Sequence, residues 1–283
     1  MCGIVGYTGP NPCVEVLVDG LRRLEYRGYD SAGIAVLTDG DIAVRKSQGK
    51  IARLTERIAK QPVAGNCGIG HTRWATHGRP SDENAHPHHV GSVAVIHNGI
   101  VENHRTLKER MRALGRTFSS ETDTEVIAHL LDEYVKDGMA LEDATRRTVS
   151  ELRGSYAFLA VTDREPGTVV GVRLNCPMVV GLGGGEYFLA SDLTAFLSHT
   201  REVLFLEDGE MVVATPKGIR ISDFYGKPRT REPQRIDWSP VMAEKGGYRH
   251  FMLKEIHEQP RAILDTLAGR MLPEEGEVFF ETL

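Results

Sequence analysis

Cys2 stands directly behind Met1 at the head of an apolar stretch, MCGIVGYTG, and that position gives it chemical promise. Removal of Met1, common when the next side chain is small, leaves a thiol and a free α-amine on one carbon. An α-amine titrates at roughly 7.7–8.0 and a thiol near about 8.5, so close to neutrality the amine can take the thiol's proton. That is the logic of a nucleophile carrying its own base. The plain alternative is a small apolar side chain placed for packing. Three further clusters carry polar chemistry. In GHTRWATHG, residues 70–78, Arg73 is fit to grip a carboxylate through two parallel hydrogen bonds and Trp74 to close over a ligand. The same residues also suit a solvated loop in which Arg73 faces water and Trp74 packs beneath. In VAVIHNGIVEN, residues 93–103, the Asn98 amide and the Gly99 N–H are two donors at a strand end, suited to an oxyanion. Asn-Gly between apolar segments is equally the strongest short hairpin signal. In SETDTEVIAHLLDEY, Thr122 and Glu125 have capping-box spacing, with Asp123 in the first helical turn. There its carboxylate serves the helix dipole or meets a substrate ammonium.

Histidine offers a competing chemistry. Seven of the eleven histidines lie between 71 and 104, including His86, His88 and His89 in NAHPHHV, which invites a metal-binding reading. Against it, the chain has no HExxH, no CxxC and no regular ligand spacing along one helix or strand. No phosphate-binding or dinucleotide-binding glycine fingerprint is present, and GLGGGE at 181–186 reads as a turn between strands.

Elements that position these residues follow from periodicity. Residues 3–9 read as a buried strand. Val14, Leu17, Val18, Leu21 and Leu24 form a helical stripe that Gly28 ends. Ser31–Leu37 and Asp41–Ser47 read as strands joined at Thr38-Asp39-Gly40, Ile51–Ile58 as a helix, and Cys67–His71 and Ser92–His97 as strands. Helices follow near 103–114, 123–137 and 140–152. After Gly154 come short apolar runs at 155–162, 168–173, 178–182, 186–190, 203–206, 209–214 and 218–222, separated by Gly, Pro and Asp. Strands, then helices, then strands predict a layered α+β fold with largely antiparallel sheets. Tyr225 to Gly247 is rich in Pro, Gly and charge and reads as a linker. Beyond it, YRHFMLKEIHEQPRAILDTLAGR has helical spacing interrupted at Pro260, the expected start of a second domain.

With 283 residues, 41% hydrophobic and 26% charged, the chain can bury one large domain or one domain and part of another. A net charge of -5 gives no sign of a nucleic-acid partner. The four cysteines, Cys2, Cys13, Cys67 and Cys176, are widely spaced and read as reduced thiols in cytoplasm. No apolar run is long enough to cross a bilayer and no signal peptide is legible, so membrane and secreted classes are set aside.

Taken in order, MCGIVGY, LRRLEYRGYDSAG, GHTRWATHG, NAHPH, HNGIVEN and SETDTEVIAHL closely resemble the N-terminal glutaminase domain of the glutamine:fructose-6-phosphate aminotransferases. The likeness continues through LRGSYAF and LASD to YRHFMLKEIHEQP, which in that family leads toward a sugar-isomerase domain. The resemblance implies an N-terminal-nucleophile hydrolase fold, a four-layer αββα sandwich, with a glutaminase domain at 1–224, a linker at 225–247 and the beginning of an isomerase domain at 248–283. It implies Cys2 as nucleophile, Asn98 and Gly99 as oxyanion donors, Arg73 on the α-carboxylate of L-glutamine and Asp123 on its α-ammonium. Thr76 and His77 would line a loop over the substrate, Trp74 would gate ammonia, and Arg27 would lie near the pocket. The same resemblance implies no cofactor and no metal, fructose 6-phosphate as partner only through the isomerase half, and a homodimer at full length. The alternatives are another N-terminal-cysteine amidotransferase, such as those feeding purine or asparagine synthesis, and a metal-binding module built on the histidines.

Overall fold

The computed structural model describes residues 2–75, 78–237, 248–267, 271–272 and 277–278. The chain divides into two compact units, Met1–Ile236 and Asp237–Leu283. The first runs β1 (Gly3–Thr8), α1 (Cys13–Leu24), a 3-10 turn (Glu25–Arg27), β2 (Ser31–Thr38), β3 (Asp41–Gln48), α2 (Ile51–Lys60), β4 (Cys67–Arg73), β5 (His88–Val90) and β6 (Val93–Val101). It continues through α3 (His104–Ala113), α4 (Glu125–Lys136), α5 (Leu141–Val149), β7 (Gly154–Thr162), β8 (Val169–Leu174), β9 (Val179–Leu182) and β10 (Tyr187–Ala190). It ends with β11 (Glu202–Phe205), β12 (Glu210–Thr215), β13 (Gly218–Asp223), β14 (Pro228–Arg229) and β15 (Gln234–Arg235).

Among the described residues these strands make an eight-stranded sheet, ordered β15-β11-β9-β10-β1-β4-β2-β3, and a seven-stranded one, ordered β14-β13-β12-β8-β7-β6-β5. Side-chain alternation explains how they stack. Ala94 and Ile96 of β6 and Ala157, Leu159 and Val161 of β7 face Ile4, Ala35, Ile69 and Leu189 of the larger sheet, forming a dry inter-sheet core. Their neighbours Val93, Val95, Tyr156, Phe158 and Ala160 face the other way, onto Leu107, Met111, Val126, Leu130, Leu131 and Leu141 of α3 to α5. With both faces covered, VAVI and YAFLAV are continuous apolar runs rather than alternating ones.

Helix α1 covers the far face of the larger sheet. It can sit close because β4 presents glycines to it: a Cβ on Gly70 would lie 3.0 Å from Leu21 Cδ1, and one on Gly68 3.1 Å from Leu17 Cδ1. Leu17, Leu21 and Leu24 are fully buried there, each burial stabilising by roughly 1.5–3 kcal/mol. Helix α2 packs on β3. The layers are therefore helix, sheet, sheet, helix, as the α+β reading expects.

Three local expectations change. Asn98-Gly99 is no hairpin: β6 runs on to Val101, with Asn98 opposite Ala157 and Gly99 opposite Tyr156 in β7. The Thr122–Glu125 capping box does not form. Helix α4 begins only at Glu125, whose carboxylate instead accepts from the backbone N–H groups of Ser119 at 2.8 Å and Ser120 at 2.7 Å. Residues 225–236, read as the start of a linker, carry β14 and β15, which pair with β13 and β11. In the second unit, α6 (Phe251–Leu267) runs continuously through Pro260 and is followed by β16 (Met271–Leu272) and β17 (Glu277–Val278). Pro260 removes one backbone donor without ending the helix.

Candidate active site

Cys2 immediately precedes β1, which lies inside the larger sheet between β10 and β4. The β1–β4 register sets Gly3 against Thr72, and this carries Cys2 to the end of β4. There the backbone N–H of Trp74 donates to Cys2 Sγ at 3.1 Å, and the thiol lies 3.4 Å from the Trp74 carbonyl. On the β10 side, Ser191 anchors the start of the strand: its hydroxyl accepts from Ile4 N at 3.0 Å and its N–H donates to Ile4 O at 3.1 Å. Burial pushes the Cys2 thiol above its ordinary pKa, against the opposing Trp74 hydrogen bond and the Arg73 charge. At neutral pH the group is a thiol that needs a base, not a ready thiolate.

The second sheet reaches the same place through β6. Asn98 Nδ2 donates to the Cys2 carbonyl at 3.1 Å, while Asn98 Oδ1 lies 3.0 Å from His71 Nε2. Gly99 follows with φ +115°, and a Cβ there would stand 2.1 Å from Ser155 O. Only glycine fits such a conformation and spacing.

Arg73, at the end of β4, is 3% exposed, so it does not face water. It donates to Gly78 O at 3.0 Å. Burial lowers its pKa, and the neighbouring Cys2, Asp123, Asp30 and Glu121 act against that shift. Asp123 is 4% exposed and accepts from Val101 N at 2.8 Å, which ties the approach to α4 to the end of β6. Trp74 does not pack beneath the loop: its side chain is 47% exposed and meets the Tyr29 ring edge-on at 5.7 Å. Arg27 is ion-paired with Asp192, the residue whose carboxylate caps the short turn at Thr194. Thr76 and His77 lie outside the described residues.

The sequence reading passed over several groups that shape this site. Asp30 accepts from Ala75 N at 2.8 Å, and its own N–H donates to Arg73 O at 3.0 Å, so it pins the segment carrying Arg73 and Trp74. The histidines form a buried polar array. His71 stacks on His86 at 4.2 Å, and His86 meets His88 edge-on at 4.7 Å. His86 Nε2 and His97 Nδ1 approach Thr124 Oγ1 at 2.8 and 2.9 Å, and His88 Nε2 approaches Thr122 Oγ1 at 2.9 Å. These nitrogens face hydroxyls rather than one common point. Among the described residues no group of three or more His, Cys, Asp or Glu side chains is arranged to hold a metal ion. Burial pulls His71 and His88 down to about 3 and His86 well below its ordinary value, which keeps these three rings neutral. The clustering of histidine was visible in the sequence, but its partners, Thr122 and Thr124, were not.

Residues 71–198 match the family model described as "Glutamine amidotransferase domain". The chain is 53% identical over 280 residues to a glutamine–fructose-6-phosphate aminotransferase (isomerizing) of Thermus thermophilus, covering 98% of this chain and 46% of that protein. It is 50% identical to the corresponding enzyme of Methanosarcina acetivorans, covering 100% and 47%. It thus spans about half the length of these relatives. Among solved structures, the glutamine phosphoribosylpyrophosphate amidotransferase of B. subtilis superimposes with a TM-score of 0.66 at 32% identity, over 79% of this chain and 49% of that one. A class-II glutamine aminotransferase domain protein from Silicibacter pomeroyi shares the fold, with a TM-score of 0.54 at 15% identity, over 79% of this chain and 99% of that one.

Proposed function

From the likeness to glutamine amidotransferases and the geometry around Cys2, we propose that the chain is a glutamine amidotransferase that hydrolyses the side-chain amide of L-glutamine to glutamate and ammonia through Cys2. The observation that carries this reading is the meeting of Cys2 with Asn98 from the opposite sheet, at 3.1 Å from carbonyl to amide, beside the buried Arg73. With Met1 removed, the Cys2 α-amine takes the thiol proton as sulfur attacks the amide carbon. Burial raises the thiol's pKa, and the amine is placed to take the proton that this leaves on sulfur. Asn98 Nδ2 and the Gly99 N–H stabilise the oxyanion. The C–N bond then breaks, the ammonium proton passes to the leaving nitrogen as ammonia departs, and water hydrolyses the thioester, restoring the thiol.

Arg73 holds the substrate α-carboxylate and Asp123 its α-ammonium. Arg73 carries the only sign of charge that suits a carboxylate, and Asp123 the opposite sign, so the pair fixes which end of glutamine faces inward. Trp74, half exposed next to the thiol, gates the ammonia, and Thr76 and His77 belong to the loop over the substrate. Arg27 acts at one remove, through Asp192. In the longer form represented by the relatives, the ammonia would pass to fructose 6-phosphate to give glucosamine 6-phosphate. Identity of 53% to such a relative, against 32% to the phosphoribosylpyrophosphate enzyme, supports the sugar as acceptor. Among the described residues no disulfide joins the four cysteines, which agrees with a cytoplasmic setting.

The test is glutamate release from L-glutamine by wild type and Cys2→Ala, with intact mass to establish that Met1 is gone. Activity in the wild type and its loss in the variant is the expected result. A correctly processed wild type that releases no glutamate would refute the proposal.

A further inference from the structure

His71 is fully buried on β4, and its Nε2 faces two oxygens, the backbone carbonyl of His97 at 3.0 Å and Asn98 Oδ1 at 3.0 Å. A carbonyl can only accept a hydrogen bond, so the ring proton resides on Nε2. The Asn98 atom facing that proton must then be its oxygen, which leaves Nδ2 directed at Cys2, where it donates to the carbonyl at 3.1 Å. One main-chain oxygen thus fixes a tautomer, and the tautomer fixes an amide. The ring is held from its other side by the stack on His86, itself bonded to Thr124 Oγ1 at 2.8 Å. Burial takes His71 down to about 3, so the donor keeps one form across the working pH range. His71 Nδ1 has no hydrogen-bond partner among the described residues, so only the Nε2 edge has polar work.

We propose that His71 is a positioning residue for glutamine hydrolysis: its Nε2–H locks the Asn98 side chain with the amide nitrogen turned toward the reacting centre. This assignment rests on the proposed role of Asn98. It goes further by naming what prevents the Asn98 amide from turning over and presenting an oxygen, which would repel an oxyanion.

Two substitutions of similar polarity separate positioning from packing. Glutamine places its amide nitrogen near where Nε2 stands, whereas asparagine reaches only the place of Nδ1. Steady-state glutamate release is measured at pH 7.5 for wild type, His71→Gln and His71→Asn, with thermal melting of each. Expected is a fall in kcat of about 100-fold for H71N, the scale of one lost oxyanion donor, with KM for glutamine within about threefold. H71Q should return to within about tenfold of wild type and keep its pH profile from 6 to 9. On an Asn98→Ala background, H71N should cost less than about threefold more, because the two residues act as one. Equal losses in H71Q and H71N, a KM rising in step with the fall in kcat, or a full additional loss beside Asn98→Ala would overturn the assignment. A wild type that is inactive with Met1 removed would refute the proposed function and His71 with it. An active wild type with a flat series would refute His71 alone.

Discussion

Arg73 shows how one residue can be tested apart from the fold. Its guanidinium is buried, and Asp123, Asp30 and Glu121 act with Cys2 against the lowering of its pKa by that burial, so it stays a cation that an incoming α-carboxylate can meet. Replacement by alanine removes a two-pronged, charge-assisted pair of hydrogen bonds, worth about 1.5–3 kcal/mol for a charged partner. Arg73→Ala should therefore raise KM for glutamine about 10- to 100-fold, with a smaller effect on kcat, measured by steady-state glutamate release. An unchanged KM would remove its assigned part. At this scale residue type alone left Cys2, Arg73, Asn98 and Asp123 each with a structural reading beside the chemical one, and it was the order of the motifs along the chain that singled them out. Asp30 and His71 were not legible, because their importance lies in which atoms they face. His71 and Asn98 are 27 residues apart, and nothing in local spacing announces that contact.

Among elements, His71, His86 and His88 join β4 and β5 to the approach to α4 through neutral rings, and this joint should be sensitive to acid. The ordinary histidine pKa is about 6.5, while folding pulls His71 and His88 down to about 3 and His86 well below 6.5. The unfolded chain therefore binds protons that the folded chain refuses, and stability falls as pH drops below about 6.5 and continues to fall toward about 3. At pH 5.5 each ring contributes roughly 1.4 kcal/mol of loss, about 4 kcal/mol for three as an upper bound. Glu125 shifts in the same direction but acts at lower pH: burial would raise it, but His129, Ser119 and Ser120 hold it well below the usual range. Its stabilisation is lost only as pH falls below about 4.3, outside the window. Urea unfolding at pH 7.5 and 5.5 should thus show a drop of a few kcal/mol, and equal stabilities would contradict buried neutral histidines. Most elements were legible because apolar runs and glycine turns repeat, whereas β5, β14 and β15, of two or three residues, are too short to show a period. The hairpin signal at Asn98-Gly99 failed because pairing with β7 continues on both sides of it, and long-range pairing outweighs a dipeptide preference.

For the whole molecule, the division at Ile236 bears directly on where the proposed activity resides. Cys2, Arg73, Asn98, Gly99 and Asp123 all belong to the first unit, as do both large sheets. Composition alone placed the boundary at 224, since the segment after it is polar and rich in proline and glycine. That reading missed Arg231, which donates to Glu207 at 2.8 Å and is ion-paired with the buried Glu210 of β12. A chain cut after Phe224 loses this arginine together with β14 and β15, leaving a buried carboxylate without its guanidinium and two sheet edges open. Partial exposure of Arg231 moderates the cost, which should be about 1–3 kcal/mol, lowering Tm by roughly 3–10 °C for a unit of this size. A chain cut after Ile236 keeps every one of these contacts. Calorimetry and glutamate release on the two truncations should give a 1–236 protein with kcat/KM within about threefold of the whole chain, and a 1–224 protein that melts earlier. If 1–236 proved inactive beside an active whole chain, the second unit would have to contribute to the site, and the glutaminase could not be assigned to the first unit alone.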